Sequence, residues 1–376
     1  MTSKADIYAL SVLDGQKDDY KLSEYNWNTI FNVSPTGTIE RLIKNDLLCL
    51  TDSPELTLPK LLVPELKEIL KNNGQKTSGK KADLINRILN NVNIETMKEN
   101  INFQVFALTS TGKDLLQNNA SIVVIAKYFD NEYITFKNAE IVGVKPNEAD
   151  PKKIITKITD YFYDLYFSKG YWDKVESVLI CKENRERDFN SIDEKLDTYL
   201  QSIYLSLAGQ NMNFDHESPT EIYGYLDSAD SLKNYACEIQ KYYIESIQKI
   251  EAGTEITNND ILERFKLIEK KFESVESIFN NSEMNDLLLF SLEGNSENKI
   301  NAIYMNEFKR IKAIKQTNST GDSNLISIDT NAILNAEVNK INNKLIEKKM
   351  AESKSNISNK EKHQSIWDKL STIFKN

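Results

Sequence analysis

Residues 57–92 read TLPKLLVPELKEILKNNGQKTSGKKADLINRILNNV, and the rest of the chain is best read outward from them. Two short helices are legible. In the first, Val63, Leu66, Ile69 and Leu70 recur at three- and four-residue steps and so share one face. Pro64 sits at its first position, where a missing N–H costs nothing. Asn72-Asn73-Gly74 ends it, with Gly74 suited to the left-handed closing position. The second helix begins after Thr77-Ser78-Gly79, with Ser78 as its cap. It buries Leu84, Ile85, Ile88 and Leu89 and exposes Lys80, Lys81 and Arg87. Lys67 and Lys71, four residues apart, share the outer face of the first helix. So small a hairpin has a marginal core, so it is expected to lean on the preceding helix or to dock as a module.

The arrangement resembles the SAP domain, a helix–turn–helix hairpin found in DNA-associated proteins. The likeness runs through Leu61, Val63, Glu65-Leu66-Lys67, Leu70, Gly74, Thr77-Ser78-Gly79, Lys81, Leu84-Ile85 and Arg87. Two positions depart from the family. Gln75 stands where an apolar residue, usually Leu, is common, and Pro64 follows Val63 where an ordinary helix former is common. The resemblance implies nucleic-acid binding, with DNA as the partner. The residue types fit phosphate chemistry: a helix start offers free N–H groups and a partial positive charge. The candidate nucleic-acid-binding residues are Lys67, Lys71, Lys76, Thr77, Ser78, Gly79, Lys80, Lys81 and Arg87. None of this set is an evident reader of base edges, so contact with the backbone and little sequence readout are expected.

Charge sharpens this reading. The 376 residues carry 47 Lys+Arg against 56 Asp+Glu, a net −9, which taken whole argues against a nucleic-acid binder. The distribution reverses the argument. Residues 1–56 are net −4, residues 57–92 net +4, residues 93–295 net −14 and residues 296–376 net +5. The acidic total belongs to the middle of the chain. The hairpin stays basic, with 7 basic and 3 acidic groups. A body at −14 is repelled by DNA, so the hairpin, with or without the basic tail, should make the contact.

Around the hairpin the pattern is mainly helical. The expected fold is mainly α: a SAP-like helix hairpin in an N-terminal α domain with short β, then an α-helical body. Residues 1–56 form an N-terminal segment whose helix starts at Ser34-Pro35 and carries Ile39, Leu42 and Ile43, followed by a loop at Asp52-Ser53-Pro54. Residues 93–150 are winged-helix-like or a linker. There, Phe103–Leu108 reads as a short strand, and Leu108-Thr109-Ser110-Thr111-Gly112-Lys113 resembles a winged-helix strand-to-helix junction. The apolar runs Ile122–Tyr128 and Tyr133–Val144 fit strands or buried helices equally. Residues 151–316 form an acidic helical domain, with helices broken at Gly170 and Gly209, a loop over 210–228, and further helices near 229–251, 258–280, 284–293 and 297–316. Residues 317–376 form a basic, partly disordered tail ending in a short amphipathic helix around Trp367.

Composition excludes several classes. With 12 Gly and 7 Pro, Gly-rich phosphate loops and turn-rich sandwiches are disfavoured. No apolar run reaches a membrane span, and the first residues lack a secretory signal. Cys49, Cys181 and Cys237 lie far apart, which fits a reducing cytoplasm rather than a disulfide framework. The 41 Asn, with frequent Ile and Lys, point to an AT-rich bacterial or phage genome. Asp160/Asp164 and Glu183/Glu186 fall on helix faces, and Glu176–Lys182 is similar to a nuclease strand set in helical sequence. Asp215-His216-Glu217 has no second histidine near it. No catalytic residue, metal ligand or cofactor is expected. The expected protein is a cytoplasmic, non-enzymatic DNA binder whose body binds protein or self-associates. The alternatives are a scaffold in which the hairpin docks protein, for example in a phage particle or defence complex, and a nuclease.

Overall fold

The chain opens with α1 (Lys4–Leu13), whose first turn is closed reciprocally. The Ser3 hydroxyl accepts the Asp6 N–H at 3.1 Å, and the Asp6 carboxylate accepts the Ser3 N–H at 3.0 Å. This computed structural model describes residues 2–99, 101–210, 226–294 and 296–319. After α2 (Glu24–Phe31), α3 spans Thr38–Lys44, three residues later than the Ser34-Pro35 start read from the sequence. The Ser34 and Thr36 hydroxyls bond each other, the Thr38 N–H closes a turn on the Pro35 carbonyl, and Gly37 takes the left-handed cap at φ +71°. Arg41 of α3 reaches back to the buried Asp6 and ties the two helices together.

The element that places the hairpin is a two-stranded antiparallel ladder. β1 (Leu48–Thr51) pairs with β2 (Val105–Leu108), from Leu48 opposite Leu108 to Thr51 opposite Val105. Everything from Asp52 to Gln104 lies between the strands. That insertion holds α4 (Pro54–Thr57), a 3-10 turn (Leu58–Lys60), α5 (Val63–Asn72), α6 (Lys81–Asn91) and α7 (Ile94–Glu99). At its neck the Lys98 ammonium pairs with the Asp52 carboxylate at 2.7 Å. The outer edge of β2 is covered by residues 15–18: Gly15 donates to the Phe106 carbonyl and Phe106 to the Gln16 carbonyl, both at 2.8 Å.

A close approach locks the ladder to the next helix. The Thr109 hydroxyl caps α8 (Ser110–Asn118) by accepting the Gly112 N–H, and donates to the Asp46 carbonyl at 2.7 Å. Gly112 is pressed so tightly on the chain entering β1 that a Cβ there would lie 2.0 Å from the Leu47 carbonyl oxygen. The glycine of the Leu-Thr-x-x-Gly pattern is therefore needed for contact, since its backbone is not left-handed. The ladder, α1, α2 and α3 share one apolar cluster around Leu10, Leu13, Trp27, Leu42 and Phe106. The insertion has a cluster of its own, built from Leu58, Leu61, Leu66, Leu70, Leu84 and Ile88, with Val92 and Met97 closing it. The hairpin thus packs on the 3-10 turn and α7, whose Leu58 and Met97 share its cluster. Pro54, read as a loop residue, starts α4.

The fold is mainly α. Both ambiguous apolar runs are helical: α9 spans Ala120–Tyr128 and α10 spans Phe136–Ile141. Then follow α11 (Pro151–Lys169), ended by Gly170 at φ +69°, α12 (Trp172–Glu186) and α13 (Ile192–Leu207). The segment Glu176–Lys182 is helix, not strand. From Leu196 onward nearly every residue of α13 is buried, as expected of a helix packed on several sides. A helical turn at Ala229–Ser231 widens into a π turn (Leu232–Ala236), so 229–251 is not one helix; α14 starts at Lys241 and runs to Gly253. α15 (Asn258–Lys271), α16 (Asn281–Glu293) and α17 (Glu297–Ser319) complete the described chain. His216 and the tail beyond Ser319 lie outside the described residues. The ring of Phe31 on α2 stacks on that of Phe136 on α10, with centroids 5.6 Å apart, and joins the N-terminal elements to the body.

Two outcomes follow. Gly112→Ala should destabilise the protein by about 1–3 kcal/mol, the usual range for overpacking. The urea midpoint should fall with the m-value unchanged, and an unaltered midpoint would contradict the close approach. The second concerns Glu183 on α12, which burial raises above its ordinary value of 4.5, against the opposing effect of Tyr242, Tyr243 and Arg187. A carboxyl raised in the folded state holds its proton more tightly there than in the unfolded chain. Its stabilising contribution is therefore present at low pH and is lost as pH rises through the folded value. Glu183→Gln should accordingly gain melting temperature relative to wild type as pH rises from about 4 to about 7, and a difference that stays flat with pH would contradict this.

Candidate nucleic-acid interface

The insertion builds its exposed face from a short run of local rules. α5 begins at Val63, with Pro64 second, and the Glu65 carboxylate accepts the Leu62 N–H. α5 closes on Gly74 at φ +66° in a Schellman arrangement: Gln75 donates to the Leu70 carbonyl at 2.8 Å and Gly74 to the Lys71 carbonyl at 3.1 Å. Gln75 is half-buried there, in the place where the family usually has Leu.

α6 starts later than Ser78 would have it. Its cap is Lys80, whose N–H is accepted by the Asp83 carboxylate at 2.9 Å, and Lys81 is the first helical residue. Ser78 remains exposed in the loop. Gly79 is required twice over. Its φ of +136° is unfavourable for an L side chain, and a Cβ there would come within 3.1 Å of Asp83 Cβ. The acid that caps the helix and the glycine that makes room for it act together.

Two cationic side chains tie the loop and helices into one piece. The Lys81 ammonium donates to the Pro59 carbonyl at 2.8 Å, which places the start of α6 at the end of the hairpin where α5 begins. Arg87, two turns into α6, donates from one guanidinium nitrogen to the Lys76 carbonyl at 2.6 Å and the Ser78 carbonyl at 3.0 Å. The loop therefore returns alongside α6. Among the described residues, the N–H groups of 76–79 and of 81–83 have no hydrogen-bond partner. Seven backbone donors are thus free along the loop and the first turn of α6 in a basic module.

Of the residues singled out in the sequence, Lys76, Thr77, Ser78, Gly79, Lys80 and Lys81 are brought together in this loop and helix start. Lys76, Ser78, Gly79 and Lys80 are exposed, and Thr77 is half-buried. Lys67 and Lys71 are exposed on α5, about 6 Å apart along its axis. Lys71 lies near the opposite end of that helix from Lys81. Arg87 is half-buried and engaged with the loop carbonyls. Lys60 escapes a reading by spacing. It ends the 3-10 turn and is carried toward the start of α6 by the Lys81–Pro59 bond, a link that no local pattern announces.

Residues 57–93 match the family model of the SAP domain. A SAP domain is found here. The match covers about a tenth of the chain, and SAP domains in general bind DNA. Comparison with curated proteins and with solved structures gives no match.

The carboxylates of the body are organised differently. Asp160 is paired with Lys182, and Glu186, 2% exposed, accepts from Thr159 and from Asn190. Both line a cavity of about 410 Å³ beside α13. Among the described residues no three His, Cys, Asp or Glu side chains are grouped to hold a metal. No described helix is long and apolar enough to cross a membrane.

Gly79→Ala should cost the SAP domain about 1–3 kcal/mol, the range for a residue held in a sparsely populated backbone region. Amide exchange within α6 should accelerate while that of α13 stays unchanged. Equal protection of α6 in both proteins would show that the positive φ is not required.

Proposed function

We propose that the protein binds nucleic acid, most naturally duplex DNA, through the sugar–phosphate backbone at the SAP domain, with little sequence readout. The observation that carries this reading is the coincidence of free donors and lysines along the loop and the start of α6. Seven unpartnered backbone N–H groups, two hydroxyls and the exposed lysines Lys76 and Lys80 line this stretch, while the Lys81 ammonium is held by the Pro59 carbonyl. Neutral donors orient a phosphate, and ammonium groups attract it from a distance. Lys67, and Lys71 beyond it, would meet a neighbouring phosphate along α5. The capping carboxylates Glu65 and Asp83 are each bound to a backbone N–H, which moderates their repulsion of the strand.

The acidic segment fits a division of labour. Residues 93–295 carry net −14, so the body is held from DNA by its own field, and the SAP domain, lodged between two strands, is the part free to approach. The body would then serve protein binding or self-association. A second reading, in which the module docks protein, is favoured by one observation: Leu62 is 67% exposed and Ile94 58% exposed on the same insertion.

The test uses the full chain, a labelled duplex and a salt series. Lys76 and Lys80 have no side-chain partner among the described residues, so Lys76→Ala with Lys80→Ala removes charge without breaking a bond. The logarithm of affinity should fall with the logarithm of salt. The double variant should flatten that slope by about 0.9 for each phosphate it no longer neutralises. An unchanged affinity and slope would sink the DNA reading. Leu62→Ser leaving DNA binding intact while abolishing a protein contact would favour the scaffold.

A further inference from the structure

We infer that Arg87 is the positioning residue of the SAP loop rather than one of its phosphate contacts; this rests on the loop being the DNA site proposed above. Arg87 is half-buried. Its hydrogen bonds go to the carbonyls of Lys76 and Ser78, at 2.6 and 3.0 Å. In a planar trans peptide the carbonyl and the N–H that follows it point opposite ways, so holding these two carbonyls turns the N–H groups of Thr77 and Gly79 away from Arg87. Residues 75–78 have no regular structure of their own and no ladder to fix them. Among the described residues, the N–H groups of 76–79 are all unpartnered. Nothing in the backbone hydrogen bonding of the loop therefore sets which way its donors point. Arg87 supplies that restraint from the rigid side, α6, where Leu84 and Ile88 on either side of it are fully buried.

The arrangement has a second part. Lys81 does for the start of α6 what Arg87 does for the loop, by bonding the Pro59 carbonyl at 2.8 Å. Arg87 and Lys81 are thus the cations of the module that are spent on its own carbonyls. Lys67, Lys71, Lys76 and Lys80, all exposed, make no such bond among the described residues. The division is between cations that shape the site and cations that face the ligand. Charge-assisted bonds to carbonyls are strong enough to hold a loop whose ordering otherwise costs entropy.

Two measurements on the full chain decide it. Arg87→Ala should weaken duplex binding about tenfold, the effect of removing a hydrogen bond to a charged group. The salt slope should nevertheless stay equal to that of wild type, because every ammonium group that faces a phosphate is still in place. A slope shallower by about 0.9 would show that Arg87 neutralises a phosphate itself and would overturn the inference. Limited digestion with trypsin reads the loop without DNA. The bond after Lys76 should be cut faster in Arg87→Ala, with the bonds after Lys67 and Lys71 in α5 still protected. Unchanged cutting after Lys76 counts against the inference. So does cutting that spreads through α5, which would mean that Arg87 holds the hairpin rather than the loop. If wild type binds no duplex at all, the DNA reading fails, and the digestion still judges whether Arg87 orders the loop.

Discussion

The pairing of Leu48–Thr51 with Val105–Leu108 is the constraint on which the placement of every other part depends. It closes a long insertion, so the ladder must offset the loop-closure entropy of the residues between its strands. The structure meets this cost from both sides of the ladder. Gly112 brings α8 hard against the Leu47 carbonyl, and residues 15–18 add their hydrogen bonds to the far edge of β2. The Asp52–Lys98 pair then stands at the neck. The inserted segment is built around its own apolar cluster, separate from that of the helices that carry it. The SAP domain is therefore presented as a unit, with its two ends held side by side.

Placement also resolves the conflict between the net charge and the function. Charge acts over roughly the Debye length, about 8–10 Å at ordinary salt. A basic element buried within the acidic body would be neutralised. One set apart in its own module keeps its field. The insertion is carried on a ribbon of four residues per strand.

Within the module, backbone polar groups matter as much as lysines. Each capping acid answers one N–H and leaves the next donors free: Glu65 takes that of Leu62, and Asp83 takes that of Lys80. Both acids sit at helix starts, where the dipole favours them and where a phosphate would also be drawn. The site is thus a compromise. Stability asks for carboxylates at these helix ends, and anion binding asks for their absence. Gly79 eases the conflict by letting the loop pass close over Asp83.

Much of the module was legible in residues 57–92 alone. The periodic Leu and Ile positions, Gly74 at the end of α5 and the lysines outside follow from helical geometry, which is local and so is written in spacing. The same holds for α11 and α12, bounded by Gly170, and for the helical class of the body. Three things were not legible. The apolar runs at 122–144 are helices because they pack on α11 and its neighbours, a choice that composition leaves open. The start of α6 at Lys81 depends on Asp83 reaching back to Lys80, a competition that Ser78 loses although its residue type is the better cap. The roles of Lys81 and Arg87, and the lodging of the whole domain between β1 and β2, depend on partners up to 60 residues apart in the chain. Sequence by itself determined the two helices of the hairpin, the helical class of the body and the sign of their charge, because these depend on neighbours a few residues away. Only tertiary structure decided which cations face outward and where the module stands, because those are set by contacts between segments that spacing does not connect.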